Sequence, residues 1–519
     1  MLVVAMRTMV LLLAVLIYAL LTTYQFTDSE GLVAYTMLLL GYLAAEAWNL
    51  RKYDRRWHWL NPVVLASLFT FALSFGASNA LFFLPDDVVG LVGLEPLATP
   101  WMNQLMLLVV LAAIAMWSGY DSWMGIELGR MVQKSRFLRQ WITPSTQVNR
   151  PIIYMCITVS LGARFLMISL GVYGFSSDYG QLIGVAGYTQ YLSIAESLGQ
   201  LALLGVAIHC FASTRASLFD RQLLILVLGY EVAFGFLSGF KSQVFMPFIV
   251  VGLAYYSQRQ RFPRWMIPAV LVALIAAYAV IEPFREARYH DASFDSTDVG
   301  SIASTMATAG DDKGDGEERA GTALSVLARI NMTYVASRGI EYAATTKLPE
   351  DSPNFLGDIL LAPVHAIVPR ILWEGKPFQN IGLWYTVEVM GYGLEDGILS
   401  STAMGPVTYL NFAGGSLAVV VGFFVVGVLQ RVLFDGLRSF GGGGLIVFFG
   451  LLRILVLIDS AYNTLFVSLI RLLPLLLFAQ YVLLIRPRSL IDKSKEPSHA
   501  PRVDFPHAGP VLDPVHLRG

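Results

Sequence analysis

Long apolar runs recur along this chain, and each has the length that crosses a bilayer. About 20 residues of α-helix span the hydrocarbon core of a membrane. Twelve runs approach or exceed that length: 4–24, 31–50, 62–84, 101–119, 151–174, 191–213, 222–240, 243–258, 265–283, 415–434, 444–460 and 464–485. The pattern predicts an all-α, polytopic integral membrane protein, a helical bundle of about twelve transmembrane helices.

The loops between these runs differ in charge in strict alternation. Basic residues follow the second, fourth, sixth, eighth, tenth and twelfth runs, as in Arg51, Lys52, Arg55 and Arg56. The intervening short loops, such as "TDSEG" and "IDSAYN", are acidic or neutral. Because basic loops stay on the cytoplasmic side, both termini are expected in the cytoplasm.

This topology divides the chain into four parts. Residues 1–283 carry helices 1–9, residues 284–414 form a large periplasmic loop with surface helices, residues 415–485 carry helices 10–12, and residues 486–519 form a proline-rich cytoplasmic tail. The first part of the loop is acidic and poor in large apolar residues, so we expect it to be mobile. From residue 322 the pattern becomes helical: a stripe runs through Leu324, Leu327, Asn331, Tyr334 and Val335, and "NFLGDILLAPVHAIVPR" reads as a surface helix broken by prolines.

Composition and motifs exclude several classes of function. The net charge of −1 gives no field that favours nucleic acid. Cys156 and Cys210 lie inside apolar runs and have no metal-ligand spacing. Neither a nucleotide-binding glycine loop nor a metal-ligand cluster is present, so no cofactor and no metal are predicted, and "GGGG" at 441–444 reads as a flexible connection.

The outer loop carries cations on the side of the membrane where they are normally scarce. They are Arg285, Arg288, Arg329, Arg338, Arg370 and Lys376, joined by Lys241 from the tight turn between the seventh and eighth spans. These residues could be ordinary solvated or structural charges. Alternatively they form an anion site, since arginine and lysine bind phosphate, and a lipid-linked phosphate is the anion expected at a membrane surface.

Six charged or titratable residues fall within the spans: Arg164, Glu196, His209, Glu231, Arg453 and Arg471. A charge at the centre of a bilayer is costly, so such residues pair with one another or face a polar cavity. The simplest expectation is an ion pair between helices, for instance Arg164 with Glu231. No span shows the paired interruptions that mark a transporter core.

Several stretches together resemble a known family. "RINMTYVASRGIEYAATTKLPEDSPNFLGDILLAPVHAIVPRILWEGKPFQNIGLWYT" is similar to the signature region of Wzy-type O-antigen and exopolysaccharide repeat-unit polymerases. "SSTAMGPVTYLNFAGGSLAVVVGFFVVGVL" and "GFLSGFKSQVFMPFIV" resemble two further segments of that family, and the resemblance covers roughly residues 225–435. It implies a fold related to the lipid-dependent (GT-C-like) glycosyltransferases.

The resemblance also implies a reaction. Such enzymes move a glycan from undecaprenyl pyrophosphate to the terminal sugar of another lipid-linked repeat unit, building O-antigen, capsule or exopolysaccharide. The resemblance therefore implies a chain in the bacterial inner membrane that acts at its periplasmic face. A flippase and a chain-length regulator of the same pathway are the implied partners. Arg370 would act in catalysis, with His365 or Glu374 as the general base. Lys376 and Arg329, then Lys241, Arg285 and Arg288, would contact the pyrophosphate.

One family motif is not matched, and three other functions stay open. Some members carry an arginine, ten residues and a glycine in two outer loops, whereas Arg370 to Gly382 and Arg288 to Gly300 each enclose eleven residues. The alternatives are an O-antigen ligase, a transporter or flippase for lipid-linked oligosaccharide, and a non-catalytic subunit of an export complex. A transporter would need charges along the spans and could lose the outer loop.

Overall fold

The structure is a computed structural model that describes residues 2–84, 98–174, 186–212, 216–259, 330–349, 352–368, 372–373, 381–391, 402–456 and 461–485, with isolated residues between 261 and 328. In this part of the chain the regular structure is helical. An isolated antiparallel bridge joins Val148 to Leu484.

The helices of the described residues, in chain order, have the following bounds. They are α1 (Leu2–Thr22), α2 (Asp28–Tyr53), α3 (Pro62–Phe83), α4 (Pro100–Tyr120), α5 (Trp123–Lys134), α6 (Arg136–Trp141), α7 (Arg150–Ser169), α8 (Ala186–Ala212), α9 (Leu218–Leu237), α10 (Lys241–Arg259), α11 (Met332–Thr345), α12 (Phe355–Leu360), α13 (Ala362–Ile367), α14 (Ile381–Trp384, continued as a π-helix over Tyr385–Val389), α15 (Gly405–Arg438), α16 (Gly441–Val456) and α17 (Tyr462–Leu483). A short 3₁₀ helix, His58–Leu60, precedes α3.

Eight of these helices are long and apolar enough to cross a membrane: α1, α2, α3, α4, α7, α8, α15 and α17. The protein is therefore a membrane-embedded helical bundle, as the apolar runs predict. Helices α9, α10 and α16 occupy three further predicted spans. Of these, α16 is apolar but has only 16 residues. The predicted span 265–283 lies almost wholly outside the described residues.

Ion pairs and hydrogen bonds sort the helix ends into two sets. At one end, here called the basic end, Arg438 at the end of α15 lies 2.6 Å from Asp54 after α2, and Arg150 at the start of α7 lies 2.8 Å from Asp220 at the start of α9. At the opposite end, here called the loop end, Asn103 near the start of α4 donates to the Asp28 carbonyl at the start of α2. The predicted basic loops after α2, after α4 and after α15 lie at the basic end, as far as the structure describes them.

Helix α15 is the centre of the packing and contacts α4 and α5 along its length. The backbones of α4 and α15 approach closely because each helix presents a glycine to the backbone of the other: a Cβ at Gly119 would overlap the carbonyl oxygen of Phe424, and one at Gly427 that of Met116. The N-terminal part of α15 joins an apolar core with α2, α3 and α4, and its C-terminal part joins a second core with α8 and α16.

A sharp break divides α15 at Gly414 and Gly415. Gly415 has φ of +66°, a left-handed conformation that glycine tolerates best. A Cβ at Gly422 would lie 2.6 Å from the Leu410 side chain, although twelve residues of straight helix would separate the two by about 18 Å. Residues 405–413 thus fold back on residues 416–422, and the long part of α15 begins where the sequence predicts a span from residue 415.

Helix α3, on the predicted span 62–84, is not a uniform α-helix. It is an α-helix from Pro62 to Ala66, a π-helix over Ser67–Leu73 and a 3₁₀ helix over Ala77–Phe83. The backbone N–H of Met332, at the start of α11, donates to the Ser74 carbonyl in the turn between the last two parts. A loop segment supplies this donor, so this carbonyl of the interruption has its hydrogen-bond partner within the protein.

Two local predictions were wrong. The helical stripe through Asn331 is not continuous, because Asn331 is the N-cap of α11 and its Oδ1 accepts from the backbone N–H of Tyr334. The glycines 441–444 are not a flexible connection. They form the first turn of α16 and are buried from Gly442 on, with Gly443 donating its backbone N–H to the Thr143 carbonyl at 2.8 Å.

Candidate functional site

Most of the cations and acids predicted to act lie outside the described residues. These are Arg285, Arg288, Arg329, Arg370, Glu374 and Lys376. Lys241 is the first residue of α10, directly after the tight turn predicted there, and its side chain is outside the description. His365 is the one predicted site residue whose side chain is described. The acidic loop segment before residue 322, apart from isolated residues, and the tail after residue 485 also lie outside the described residues.

Helices α12 and α13 form where the sequence predicts a helix broken by prolines. Asn354 caps α12, its Oδ1 accepting from the Gly357 backbone N–H at 2.9 Å. The helix breaks at Leu361, and Pro363 sits in the first turn of α13, where its missing N–H costs nothing. The two helices pack on α17, and α13 ends two residues before Pro369.

Arg471 of α17 binds the C-terminal end of α13. Its Nη2 donates to the His365 carbonyl at 2.8 Å and its Nε donates to the Ala366 carbonyl at 3.1 Å. The last carbonyls of a helix have no partner within it, and a cation there also favours the helix dipole. One planar guanidinium therefore fixes the peptide that immediately precedes "VPRILWEGKP" in the sequence.

The His365 side chain is buried, with 4% of its surface exposed. Its ring centroid lies 5.6 Å from that of Trp373, with the two planes tilted by 39°. This ring is packed rather than open to solvent. Between the two predicted general bases, the burial of His365 makes Glu374 the first to test.

An aromatic cluster holds the other loop helices against α15. Phe355 of α12 stacks on Phe412 with centroids 4.9 Å apart, and the Tyr409 hydroxyl donates to the Phe355 carbonyl at 3.1 Å. Trp384 meets Phe355 edge to face at 5.5 Å. Such packed aromatic pairs make a rigid frame.

The side chain of Tyr385 holds α11 in place. The buried Tyr385 hydroxyl donates to the Val335 carbonyl at 2.6 Å, and burial raises the pKa of this phenol, so it stays a donor at neutral pH.

Arg338 pairs with Glu341 one turn away at 3.0 Å on the surface of α11. This pair favours the structural interpretation for that one loop arginine.

A buried polar network ties α11 to α3. Asn331 Nδ2 donates to Ser78 Oγ at 3.2 Å and to Asn79 Oδ1 at 3.3 Å, and the Thr333 hydroxyl donates to Asn79 Oδ1 at 2.6 Å. All four side chains are buried. The outer-loop helices are thus integrated into the bundle rather than resting loosely on it.

A cluster of three charges, two of them buried, joins α7, α8 and α9. Arg164 Nη2 lies 2.8 Å from Glu231 Oε2, and Arg164 Nε lies 3.5 Å from Glu196 Oε1. The guanidinium also stands over the rings of Tyr230 and Phe234, at 4.8 and 5.1 Å. The predicted pair of Arg164 with Glu231 is confirmed, and Glu196 joins it as a second carboxylate.

Sequence reasoning missed the role of Arg471. The sequence identifies Arg471 as a charge within a span, and the expected partner of such a charge is a carboxylate. Within the described residues Arg471 has no carboxylate in ion-pair distance and bonds instead to backbone carbonyls. Every residue offers such carbonyls, so no sequence pattern could have identified the partner.

Comparison with known proteins gives one match. The model of a family described as a domain of unknown function, DUF8712, matches residues 142–486, which is two thirds of the chain. The matched region begins just after α6 and contains the charge cluster, the outer-loop helices and α17. No curated protein and no solved structure matches.

Proposed function

The chain belongs to the DUF8712 family, and we propose that it is a membrane glycosyltransferase that polymerises lipid-linked oligosaccharide repeat units. The donor is a glycan on undecaprenyl pyrophosphate, and the product is an O-antigen, capsule or exopolysaccharide chain. The reaction takes place at the periplasmic face of the bacterial inner membrane, within a bundle of about twelve spans whose two termini are cytoplasmic. The fold is related to the GT-C-like glycosyltransferases.

The observation that carries the proposal is the anchored end of α13. Arg471 fixes the His365 and Ala366 carbonyls, and the sequence then continues into "VPRILWEGKP", with Arg370 and Lys376. That segment also bears the family resemblance. A site that stabilises a leaving pyrophosphate needs preorganised cations, because electrostatic stabilisation works best when no reorganisation is required during the reaction.

The proposed step balances in atoms and charge. The terminal hydroxyl oxygen of the acceptor glycan attacks the anomeric carbon of the donor glycan, and the bond from that carbon to the pyrophosphate oxygen breaks. The acceptor proton passes to a general base, for which Glu374 is tested first. Arg370 and Lys376, with Arg329 next and Lys241, Arg285 and Arg288 behind them, neutralise the undecaprenyl pyrophosphate that leaves.

A transporter for lipid-linked oligosaccharide is the second candidate. Two observations favour it: the α, π and 3₁₀ segments of α3, and the charge cluster of Arg164, Glu196 and Glu231 within the predicted spans. Interrupted helices and charges within the membrane region are typical of transporter cores. Both features also have structural explanations here, since α11 caps the interruption and the charges pair with one another.

The test is the glycan profile of a deletion strain, complemented with variants. With the wild-type gene absent, the proposal expects single repeat units at the outer face and no polymer. Complementation with Arg370→Gln, at normal protein level, should give the same profile as the deletion strain, with single repeat units and no polymer. Arg319→Gln, a neutralisation in the acidic loop segment, should restore polymer.

The other outcomes separate the alternatives. Polymer that accumulates on undecaprenyl pyrophosphate, unattached to lipid A, would identify a ligase. Repeat units trapped on the cytoplasmic face would identify a transporter. Polymer made normally by the Arg370→Gln strain would contradict the assigned role of that arginine.

A further inference from the structure

Helix α5 presents one face to the bundle and the opposite face to its surroundings. It follows α4 after two residues, and Gly125 and Gly129 on its inner face are buried against Arg431 and Asp435 of α15. Gln133 Nε2 donates to the Asp435 carbonyl at 2.8 Å. This contact holds α5 at the basic end of the bundle.

The outward face of α5 is apolar. Met124, Leu128 and Met131 follow one another at helical spacing, and 40%, 40% and 65% of their surfaces are exposed. Trp123, at the first position of α5, is 77% exposed. A row of large apolar side chains in water would be unfavourable, so this face requires an apolar environment.

The short helix α6 also exposes a large apolar side chain. Phe137 is 59% exposed and stacks near Trp141 at 5.6 Å, and Trp141 lies 5.6 Å from Tyr481 at the end of α17. Gln480 of α17 also donates to the Trp141 carbonyl at 2.8 Å. Helix α6 is therefore fixed to the end of a membrane-spanning helix, with an aromatic side chain directed outward.

Cations surround these apolar side chains. Residues 121–141 contain four basic residues and two acidic ones, and both acids are paired, Asp121 with Arg7 and Glu127 with Arg130. Among the described residues no carboxylate lies within ion-pair distance of the other three, namely Lys134, Arg136 and Arg139. All three are exposed. The surface therefore has an apolar stripe and an excess of unpaired positive charge.

We propose that α5 and α6 form a membrane-surface anchor that lies in the headgroup layer at the basic end and binds acidic phospholipids. Amphipathic helices with basic polar faces and exposed tryptophan or leucine bury their apolar stripe at the level of the headgroups. The cations then meet the anionic phosphates of that leaflet. The anchor precedes the matched region 142–486, and the proposal is independent of the glycosyltransferase activity.

The first test measures lipid selection by the full chain. Detergent-purified protein is exposed to equal amounts of phosphatidylglycerol and phosphatidylcholine, and the retained lipids are counted by native mass spectrometry. Wild-type protein should prefer phosphatidylglycerol. The combined variant Arg130→Gln, Lys134→Gln, Arg136→Gln and Arg139→Gln should lower that preference by about tenfold or more, because each cation near an anionic surface contributes about fivefold.

The matched control removes the same charge at the same end. Arg51→Gln, Lys52→Gln, Arg55→Gln and Arg56→Gln together neutralise the end of α2, a helix long and apolar enough to cross the membrane rather than to lie along its surface. The proposal expects a clearly smaller loss of preference from this control. Equal losses from the two variants, or no loss from the α5–α6 variant, would overturn it.

A second measurement does not depend on the charge variants. Met131→Cys is labelled with a polarity-sensitive fluorophore, while the native cysteines, Cys156 and Cys210, are buried and react slowly. In phosphatidylglycerol-containing nanodiscs, lipids brominated high on their acyl chains should quench the label, and iodide in the buffer should not. Quenching by iodide alone would place this face in water and refute the anchor.

Discussion

Replacing Arg164 should destabilise the bundle more than replacing either of its carboxylate partners. The Arg164 side chain is 2% exposed, and it is the cation that faces both Glu231 and Glu196. Arg164→Met removes the cation that both carboxylates face, and it leaves the buried Glu231 without a positive partner. Breaking a buried ion pair in this way costs about 3–5 kcal/mol. The lost contacts with Tyr230 and Phe234 place the expected value toward the upper end.

The partner variants should be milder, in a defined order. Glu231→Gln keeps a hydrogen-bond acceptor beside Arg164, which retains Glu196 at 3.5 Å, so the expected cost is about 1–2 kcal/mol. Glu196→Gln removes the longer contact of a side chain that is 17% exposed, and about 1 kcal/mol or less is expected. The arrangement thus predicts the order Arg164→Met, then Glu231→Gln, then Glu196→Gln.

The native cysteines provide the assay. Cys156 on α7 and Cys210 on α8 are free and buried, so a membrane-permeant maleimide labels them only when these helices separate. A loss of 3–5 kcal/mol should speed labelling of Arg164→Met by a hundredfold or more. If Glu231→Gln were labelled faster than Arg164→Met, or if Arg164→Met were labelled at the wild-type rate, the assigned geometry of the cluster would be refuted.

Two further predictions concern the hydrogen bonds of Arg471 and the close approach of α4 and α15 at Gly427. Arg471→Gln should abolish or strongly reduce polymer at normal protein level, because it loses both bonds to the end of α13, each worth about 1.5–3 kcal/mol when the donor is charged. Arg471→Lys should restore only part of the polymer yield, and Arg453→Gln, an exposed arginine on α16, should leave it unchanged. Wild-type polymer from Arg471→Gln would contradict the anchoring role. Gly427→Ala should lower the Tm of the protein in detergent, since its methyl group would overlap the Met116 carbonyl and such overpacking costs about 1–3 kcal/mol. Gly229→Ala has open space around it and should be neutral or slightly stabilising, and equal melting temperatures for the two variants would contradict the close approach of α4 and α15.

Much of the architecture could be predicted because its signals are local. A membrane span requires length and apolarity, which are properties of a single segment, and eight helices of that kind form where the apolar runs lie. The alternating basic loops are equally local, and ion pairs such as Arg438 with Asp54 place their flanking helix ends together. The pair of Arg164 with Glu231 was also predictable, since a charge within a span requires a partner.

The errors arise where a distant segment supplies what the local chain lacks. The interruption of α3 depends on a donor from Met332, more than 250 residues away in the sequence. Asn331 ends one helical stretch and caps the next because Ser78 and Asn79 bind its amide. The glycines 441–443 are ordered because the backbone of residues 143–145 packs directly on them.

The sequence by itself determined that this chain is embedded in a membrane, which segments are apolar enough to span it, and which segments carry the charges. Bilayer thickness and the cost of burying charge act on each segment separately, so these properties are local. Only the tertiary structure decided that Arg471 holds the end of α13, that residues 405–413 fold back on α15, and that α5 turns an apolar face outward. These features depend on backbone carbonyls and on shape. Every residue carries a carbonyl, so only the folded chain selects which of them Arg471 binds.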